Sequence, residues 1–149
     1  MIVRSTMSNI SETTRQIDAL FHPESVAIVG VPRGLKTGRL FLMALQDQNF
    51  PGPIYPINPY IKEIDGLEVY PDISSIPGRV DLAIILVPSH HMLSVIEACA
   101  RKGVKGAVIF TSGYGETGQK GLALQQKIVR VARSGGMRLI GPNGMGLYA

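Results

Sequence analysis

Four short runs constrain this chain more than any other feature: Val26-Ala-Ile-Val-Gly-Val31, Asp81-Leu-Ala-Ile-Ile-Leu-Val-Pro88, Gly106-Ala-Val-Ile-Phe-Thr111 and Met137-Arg-Leu-Ile-Gly141. Apolar, mostly β-branched residues follow one another in them, without the polar alternation of a half-solvated strand. Successive side chains of a strand point to opposite faces, so such runs require cover on both sides, as in a parallel sheet sandwiched by helices. Pro53-Ile-Tyr-Pro-Ile-Asn58 reads as a weaker strand. Its prolines limit ladder bonding and suit an irregular or edge position.

Amphipathic stretches separate these runs. Leu40, Phe41, Ala44 and Leu45 share one face of a first helix that stops near Phe50-Pro51-Gly52. Met92, Val95, Ile96 and Cys99 do so in a second, with Ser89 as its N-cap and Gly103 near its end. Leu122, Gln125, Ile128, Val129 and Ala132 mark a third, closed by Gly135-Gly136. Gly66-Leu-Glu-Val-Tyr70 could add a short strand, and Pro71 to Pro77 a loop with one helical turn. Alternating strands and helices joined by right-handed crossovers define an α/β fold, Rossmann-like and doubly wound, with a mainly parallel sheet and helices on both faces.

At 149 residues the chain is long enough for one domain with its own core. Residues 1–18 read as an N-terminal tail or partly helical arm, with Met7 available as an alternative start, and 19–149 as the domain. No apolar run reaches the roughly 20 residues of a membrane span, and the N-terminus lacks the layout of a signal peptide. A soluble cytoplasmic protein is expected. Cys99, the only cysteine, precludes an internal disulfide, which suits a reducing compartment, and its apolar neighbours predict a buried thiol. The net charge of +4 is spread thinly, without the basic stripe and aromatic platforms of a nucleic-acid surface. A small anionic ligand fits it better.

In an open parallel sheet, ligands bind beyond the carboxyl ends of the strands, where the strand order reverses. The loops after the strands are therefore the candidate site. Gly30-Val-Pro-Arg-Gly-Leu-Lys-Thr-Gly38 follows the first run. Its glycines let backbone N–H groups approach an anion, Arg33 and Lys36 add charge, and a helix N-terminus follows. The glycine spacing is not the dinucleotide fingerprint, nor does Lys36-Thr37 follow a glycine as in a Walker A loop. An ordinary turn whose glycines serve packing alone is the alternative.

The second run ends at Asn58-Pro59, followed by Tyr60, Ile61 and Lys62, where a plain NAD site wants an acidic residue. The neutral-to-basic setting would tolerate an adenosine carrying an extra phosphate; Lys62 is either a phosphate contact or a solvated surface lysine. Val87-Pro88-Ser89 stops a strand, opens a helix and could also lie along the ligand. His90 and His91 point about 100° apart on a helix, so at most one could face the site. Without a cysteine or carboxylate pair nearby they read, with His22, as solvated or structural. Glu116 in Thr111-Ser-Gly-Tyr-Gly-Glu116 reads as a helix-capping carboxylate in a mobile loop. The Asn143 amide could bond a carbonyl or thioester, or equally shape its own turn. No metal-ligand spacing and no nucleophile–base constellation is present, so no catalytic or metal-binding residue is assigned.

Taken together and in this order, these segments resemble the CoA-binding domain of the NDP-forming acyl-CoA synthetases, the superfamily of the succinate–CoA ligase alpha subunit and the ADP-forming acetate–CoA ligases. The resemblance runs from about Leu20 to Tyr148. It rests on Phe21-His-Pro-Glu-Ser-Val-Ala-Ile-Val-Gly30, Ile54-Tyr-Pro-Ile-Asn-Pro59, Asp81 to Pro88, Gly103-Val-Lys-Gly-Ala-Val-Ile109, Gly113-Tyr-Gly-Glu-Thr-Gly118 and Met137-Arg-Leu-Ile-Gly-Pro-Asn143. It implies coenzyme A as the ligand. Its phosphates would be held at Val31, Pro32, Arg33, Gly34, Lys36, Thr37 and Gly38. Its adenosine would lie by Asn58, Pro59, Tyr60 and Lys62. Val87, Pro88 and Ser89 would line the site, and Asn143 would sit near the thiol end. Many relatives carry cysteine where this chain has Gly144.

In that family, catalysis passes through an acyl phosphate and a phosphohistidine on a following domain, with nucleotide on an ATP-grasp module. None of His22, His90 and His91 lies where that histidine belongs. The resemblance thus implies a chain that binds CoA without turning over alone. Its partners would be the remaining synthetase domains or a partner subunit, with neither nucleic acid nor membrane. The alternatives are a stand-alone regulatory module sensing NAD(H), NADP or CoA, and a pure interaction domain.

Overall fold

A computed structural model describes residues 11–142. Helix α1 (Glu12–Phe21) precedes β1 (Val26–Val29), α2 (Thr37–Asp47) and β2 (Ile54–Ile57). The short strands β3 (Glu63–Ile64) and β4 (Leu67–Glu68) come next, then β5 (Leu82–Ile85), α3 (Ser89–Lys102), β6 (Gly106–Ile109), α4 (Gln119–Ser134) and β7 (Arg138–Ile140). Five strands form one sheet in the order β2-β1-β5-β6-β7, and every neighbouring pair is parallel. The expected doubly wound architecture is present.

The apolar runs divide between two cores by strand periodicity. Ala27, Val29, Ala83, Ile85, Ala107 and Ile109 face Met92, Ile96 and Cys99 of α3 and Ile128 and Ala132 of α4. Val26, Ile28, Leu82, Ile84 and Val108 face Leu20 of α1 and Leu42 of α2. Full burial of a large aliphatic side chain contributes about 1.5–3 kcal/mol, so two such faces hold the sheet between its helix layers. Below the sheet on the second face, α1 is anchored further by Arg138, which donates to Gln16 Oε1 at 2.7 Å and Thr13 Oγ1 at 3.3 Å.

β2 is an edge strand, where the missing N–H of Pro56 does least harm. Its outer side is partly covered: Tyr70 N–H donates to the Pro56 carbonyl at 2.9 Å and Asn58 N–H to the Tyr70 carbonyl at 3.0 Å. The stretch 66–70 thus divides between β4, which pairs antiparallel with β3, and this single bridge. Asp65 and Gly66, with φ of 49° and 76°, make the two-residue turn of the β3–β4 hairpin. One boundary differs from expectation. Ser89 is the first residue of α3, Pro88 holds the cap position, and no side chain caps the helix.

The N-terminal rim of the sheet is closed by a buried carboxylate. Asp81 accepts the Glu24 N–H at 3.0 Å and pairs with Lys105 Nζ at 3.0 Å, while its own N–H donates to Ser25 Oγ at 3.0 Å. Burial alone would raise its pKa. The Lys105 hydrogen bond, the Glu24 N–H and the charges of Lys105 and Arg79 outweigh that and hold it below the ordinary carboxylate range.

Candidate functional site

The strand order reverses between β1 and β5, so the switch point lies where the loops after these strands meet. They meet closely. Gly30 has φ +100°, and a Cβ there would stand 3.2 Å from the Leu86 carbonyl carbon and oxygen. No other residue type takes this conformation at such a distance without strain. The chain then turns, with Lys36 N–H donating to the Gly34 carbonyl at 2.9 Å, and α2 begins. Gly38 is buried against the Gly30 carbonyl and the Pro32 ring.

Gly30, Pro32, Lys36, Thr37, Gly38, Leu86, Phe110 and Thr111 line an open cleft of about 480 Å³. Lys36 is exposed at its mouth. The N–H groups of Thr37 and Gly38 stand ahead of the first hydrogen bonds of α2, so the positive end of the helix faces this space. Val31 is buried in the core and lines neither cleft: its N–H donates to the Ile57 carbonyl at 3.2 Å and its carbonyl accepts the Asn58 amide at 2.7 Å.

A second cleft, of about 620 Å³, lies on the other side of the same loop, between it and the segment leading into the hairpin, lined by Arg33, Arg39, Tyr60, Lys62, Asp65 and their neighbours. Both volumes fall in the roughly 300–1,000 Å³ range of small-molecule sites, and the shared loop suits an elongated ligand. Asn58 joins the loops: its amide donates to Val31, and its Oδ1 accepts the Tyr60 N–H at 2.8 Å. Arg33 donates to the Tyr60 carbonyl at 2.8 Å. Pro59 and Lys62 are exposed.

Arg39 and Asp65 were not among the expected site residues, yet they hold its outer wall. Arg39 donates to the Arg33 carbonyl at 2.8 Å and to Asp65 Oδ1 at 2.5 Å. The sequence signal was the Asp65-Gly66 turn, which places a carboxylate at a hairpin tip. Thr111 is the other omission: its hydroxyl donates to the Val87 carbonyl at 2.6 Å and ties the loop after β6 to the loop after β5. Val87 lies at the switch point, its Cγ1 facing Gly30. Pro88 is exposed, and Ser89 packs against Gly113. Asn143 lies outside the described residues.

The loop after β6 is anchored, and Glu116 does not cap α4. Tyr114 is 1% exposed. Glu116 accepts the Gly113 N–H at 2.5 Å, and the Gly115 N–H donates to Gln125 Oε1 at 3.2 Å. Backbone N–H donors from Gly113, Glu116 and Tyr114 hold the Glu116 carboxyl below its ordinary range. His90 and His91 are both exposed, stand with ring centroids 4.1 Å apart and line neither cleft. His22 is exposed and pairs with Asp18 Oδ1 at 3.0 Å. Among the described residues no helix is long and apolar enough to cross a membrane.

Sheet order and parallel pairing define a doubly wound domain whose switch point and cation-bearing loops lie at its carboxyl rim. Residues 24–149 match the profile of the CoA binding domain, and the chain belongs to that family. It is 40% identical over 147 residues to acetate–CoA ligase (ADP-forming) II of Archaeoglobus fulgidus, covering 98% of this chain and 22% of that protein. Against the acetate–CoA ligase (ADP-forming) I subunit alpha of Pyrococcus furiosus it is 41% identical over 138 residues, 88% of this chain and 29% of the relative. The dinucleotide-forming acetyl-coenzyme A synthetase 1 of Ca. Korarchaeum cryptofilum, solved with phosphate and ADP, superposes with a TM-score of 0.83 at 44% identity, covering 89% of this chain and 28% of that one. The chain therefore spans under a third of the length of these relatives.

Proposed function

We propose that this chain binds coenzyme A across its carboxyl rim and serves as the CoA-binding part of an NDP-forming acyl-CoA synthetase, an acid–thiol ligase. Lys36 and Arg33, with the N–H groups at Gly34, Thr37 and Gly38, take the diphosphate; Pro32 forms the wall, with Val31 buried behind it. Asn58, Pro59, Tyr60 and Lys62 lie by the adenosine. Val87, Pro88 and Ser89 flank the ligand at the switch point; Asn143, outside the described residues, is assigned to the thiol end by the family resemblance alone. Acyl activation and phosphoryl transfer belong to the other domains or subunit, so the chain alone binds without turnover. A cytoplasmic location accords with the lone cysteine, Cys99, being buried and free.

The observation that carries this reading is the cleft at the switch point, where the exposed Lys36 and the first N–H groups of α2 face the same space. Those features fit a diphosphate: a helix N-terminus and an exposed cation. Thermal shifts with CoA, dephospho-CoA, NAD and NADP test it, the largest being expected with CoA. Replacing Arg33 and Lys36 together by Ala is expected to weaken CoA binding by about 1–3 kcal/mol. Unchanged affinity would remove the phosphate loop from the reading, and a larger response to NADP would favour a nucleotide-sensing module.

A further inference from the structure

β7 is the last strand of the sheet, and a pocket of about 210 Å³ lies between it and α4. Its walls are largely apolar, with Ile109, Ile128, Val129, Met137 and Leu139 among the lining residues. Tyr114 lines it too. That residue is 1% exposed, and its hydroxyl is buried without a hydrogen-bond partner among the described residues. A buried hydroxyl left unpaired costs stability that a phenylalanine at the same position would not, so its presence calls for an explanation. Burial, and then the Glu116 charge, raise the Tyr114 pKa above the ordinary 10.0, so the phenol remains a proton donor at neutral pH.

Two further donors line the same space. Gln125 accepts the Gly115 N–H with its Oε1 at 3.2 Å, which leaves the amide Nε2 to donate. Arg133 is exposed and makes no ion pair among the described residues, whereas Arg138 is committed to Gln16 and Thr13. Among the described residues no carboxylate lines the pocket, and Glu116 is held by the Gly113 N–H. Donors gathered on an apolar cavity, with no negative charge to answer them, suit the carboxylate of a molecule whose body is apolar. That body is short, because drug-sized sites begin near roughly 300 Å³. We propose that the seam between α4 and β7 binds a small monocarboxylic acid. Its carboxylate meets Tyr114, Gln125 and Arg133, and its hydrocarbon part rests on Ile128, Val129 and Met137. The pocket shares no lining residue with either cleft of the carboxyl rim, so this inference stands apart from the CoA reading.

Amide chemical shifts of the full chain, titrated with isobutyrate and benzoate at constant ionic strength, test this, with isobutyramide and benzamide as the uncharged counterparts. Saturable shifts are expected for both acids at Gly115, Val129 and Leu139, and affinity for the amides should be lower by about tenfold or more. Tyr114→Phe should weaken the acids by about tenfold while melting at or above the wild-type temperature, since the hydroxyl it removes has no partner in the free chain. Arg133→Gln should weaken them as well, and Val129→Phe, which fills the cavity, should abolish binding. A merely structural hydroxyl would instead lower the melting temperature in Tyr114→Phe. That lowering, wild-type affinity in the same variant, amides that bind as tightly as the acids, or shifts that never saturate would each overturn the assignment. Thermal shifts with CoA on the same samples keep the two readings separate. If wild type answers the acids but not CoA, the functional reading alone falls; if it answers CoA but not the acids, the pocket alone falls.

Discussion

Gly30 lies directly against the Leu86 carbonyl, so the loops after β1 and β5 meet with no side chain between them. The φ of +100° and the 3.2 Å approach act together: an alanine would be strained by its own backbone and would push on a neighbouring main chain that cannot rotate away. Gly30→Ala is expected to lower stability by about 1–3 kcal/mol. Urea unfolding would measure it, and a stability equal to wild type would mean that the two loops are free to separate.

The Arg39–Asp65 pair is about one-quarter exposed on each side, so its strength is set by geometry rather than by burial. Arg39 also holds the Arg33 carbonyl, and Gln46 reaches the Asp65 carbonyl at 3.4 Å. Removing either partner should lower global stability by no more than about 1 kcal/mol. The local effect should be larger: hydrogen exchange of the hairpin amides between Ile64 and Val69 should quicken in Arg39→Ala and in Asp65→Ala. The double variant should fall short of the sum of the two single ones, because both remove the same contact.

The residues above show which parts of this molecule were readable from order alone. The two-faced burial of β1, β5 and β6 follows from period-two geometry, which needs no tertiary knowledge, and Pro56 marked β2 as an edge for a local covalent reason. The end of a strand is also local, so the loops of the site were found. What bonds across them was not. Arg39 and Asp65 are 26 positions apart, and nothing in either neighbourhood says that they meet. Glu116 fails differently: a carboxylate just before a helix suits a cap and a loop lock equally, and the choice depends on where the Gly113 N–H points.

Cys99 is fully buried, and burial pushes its thiol up to about 12. At pH 8 the thiolate is therefore scarce as well as inaccessible. An aromatic disulfide reagent is expected to leave the native chain unmodified over the time in which it titrates the denatured chain at one thiol. Reaction of the native chain at a comparable rate would show that α3 opens readily from the sheet.

Asp81 should set the acid limit of this fold. Its pKa is depressed in the native state, so its stabilisation is fully present above the unfolded value, about 4, and is lost as pH falls through the lower, native value. Replacement by Asn keeps an acceptor for the Glu24 N–H but removes the charge facing Lys105 and Arg79. Asp81→Asn is expected to be less stable than wild type by about 1–3 kcal/mol above pH 5, with the two unfolding curves converging as pH drops below about 4. Lys105→Met removes the largest favourable contribution, so it should raise the native pKa and move the acid loss of stability to higher pH. Because Lys105 is itself 41% exposed, it can find water when Asp81 is neutral, and the penalty falls mainly on the carboxylate. A gap between wild type and Asp81→Asn that persists unchanged into strong acid would show that Asp81 acts through packing rather than through its charge.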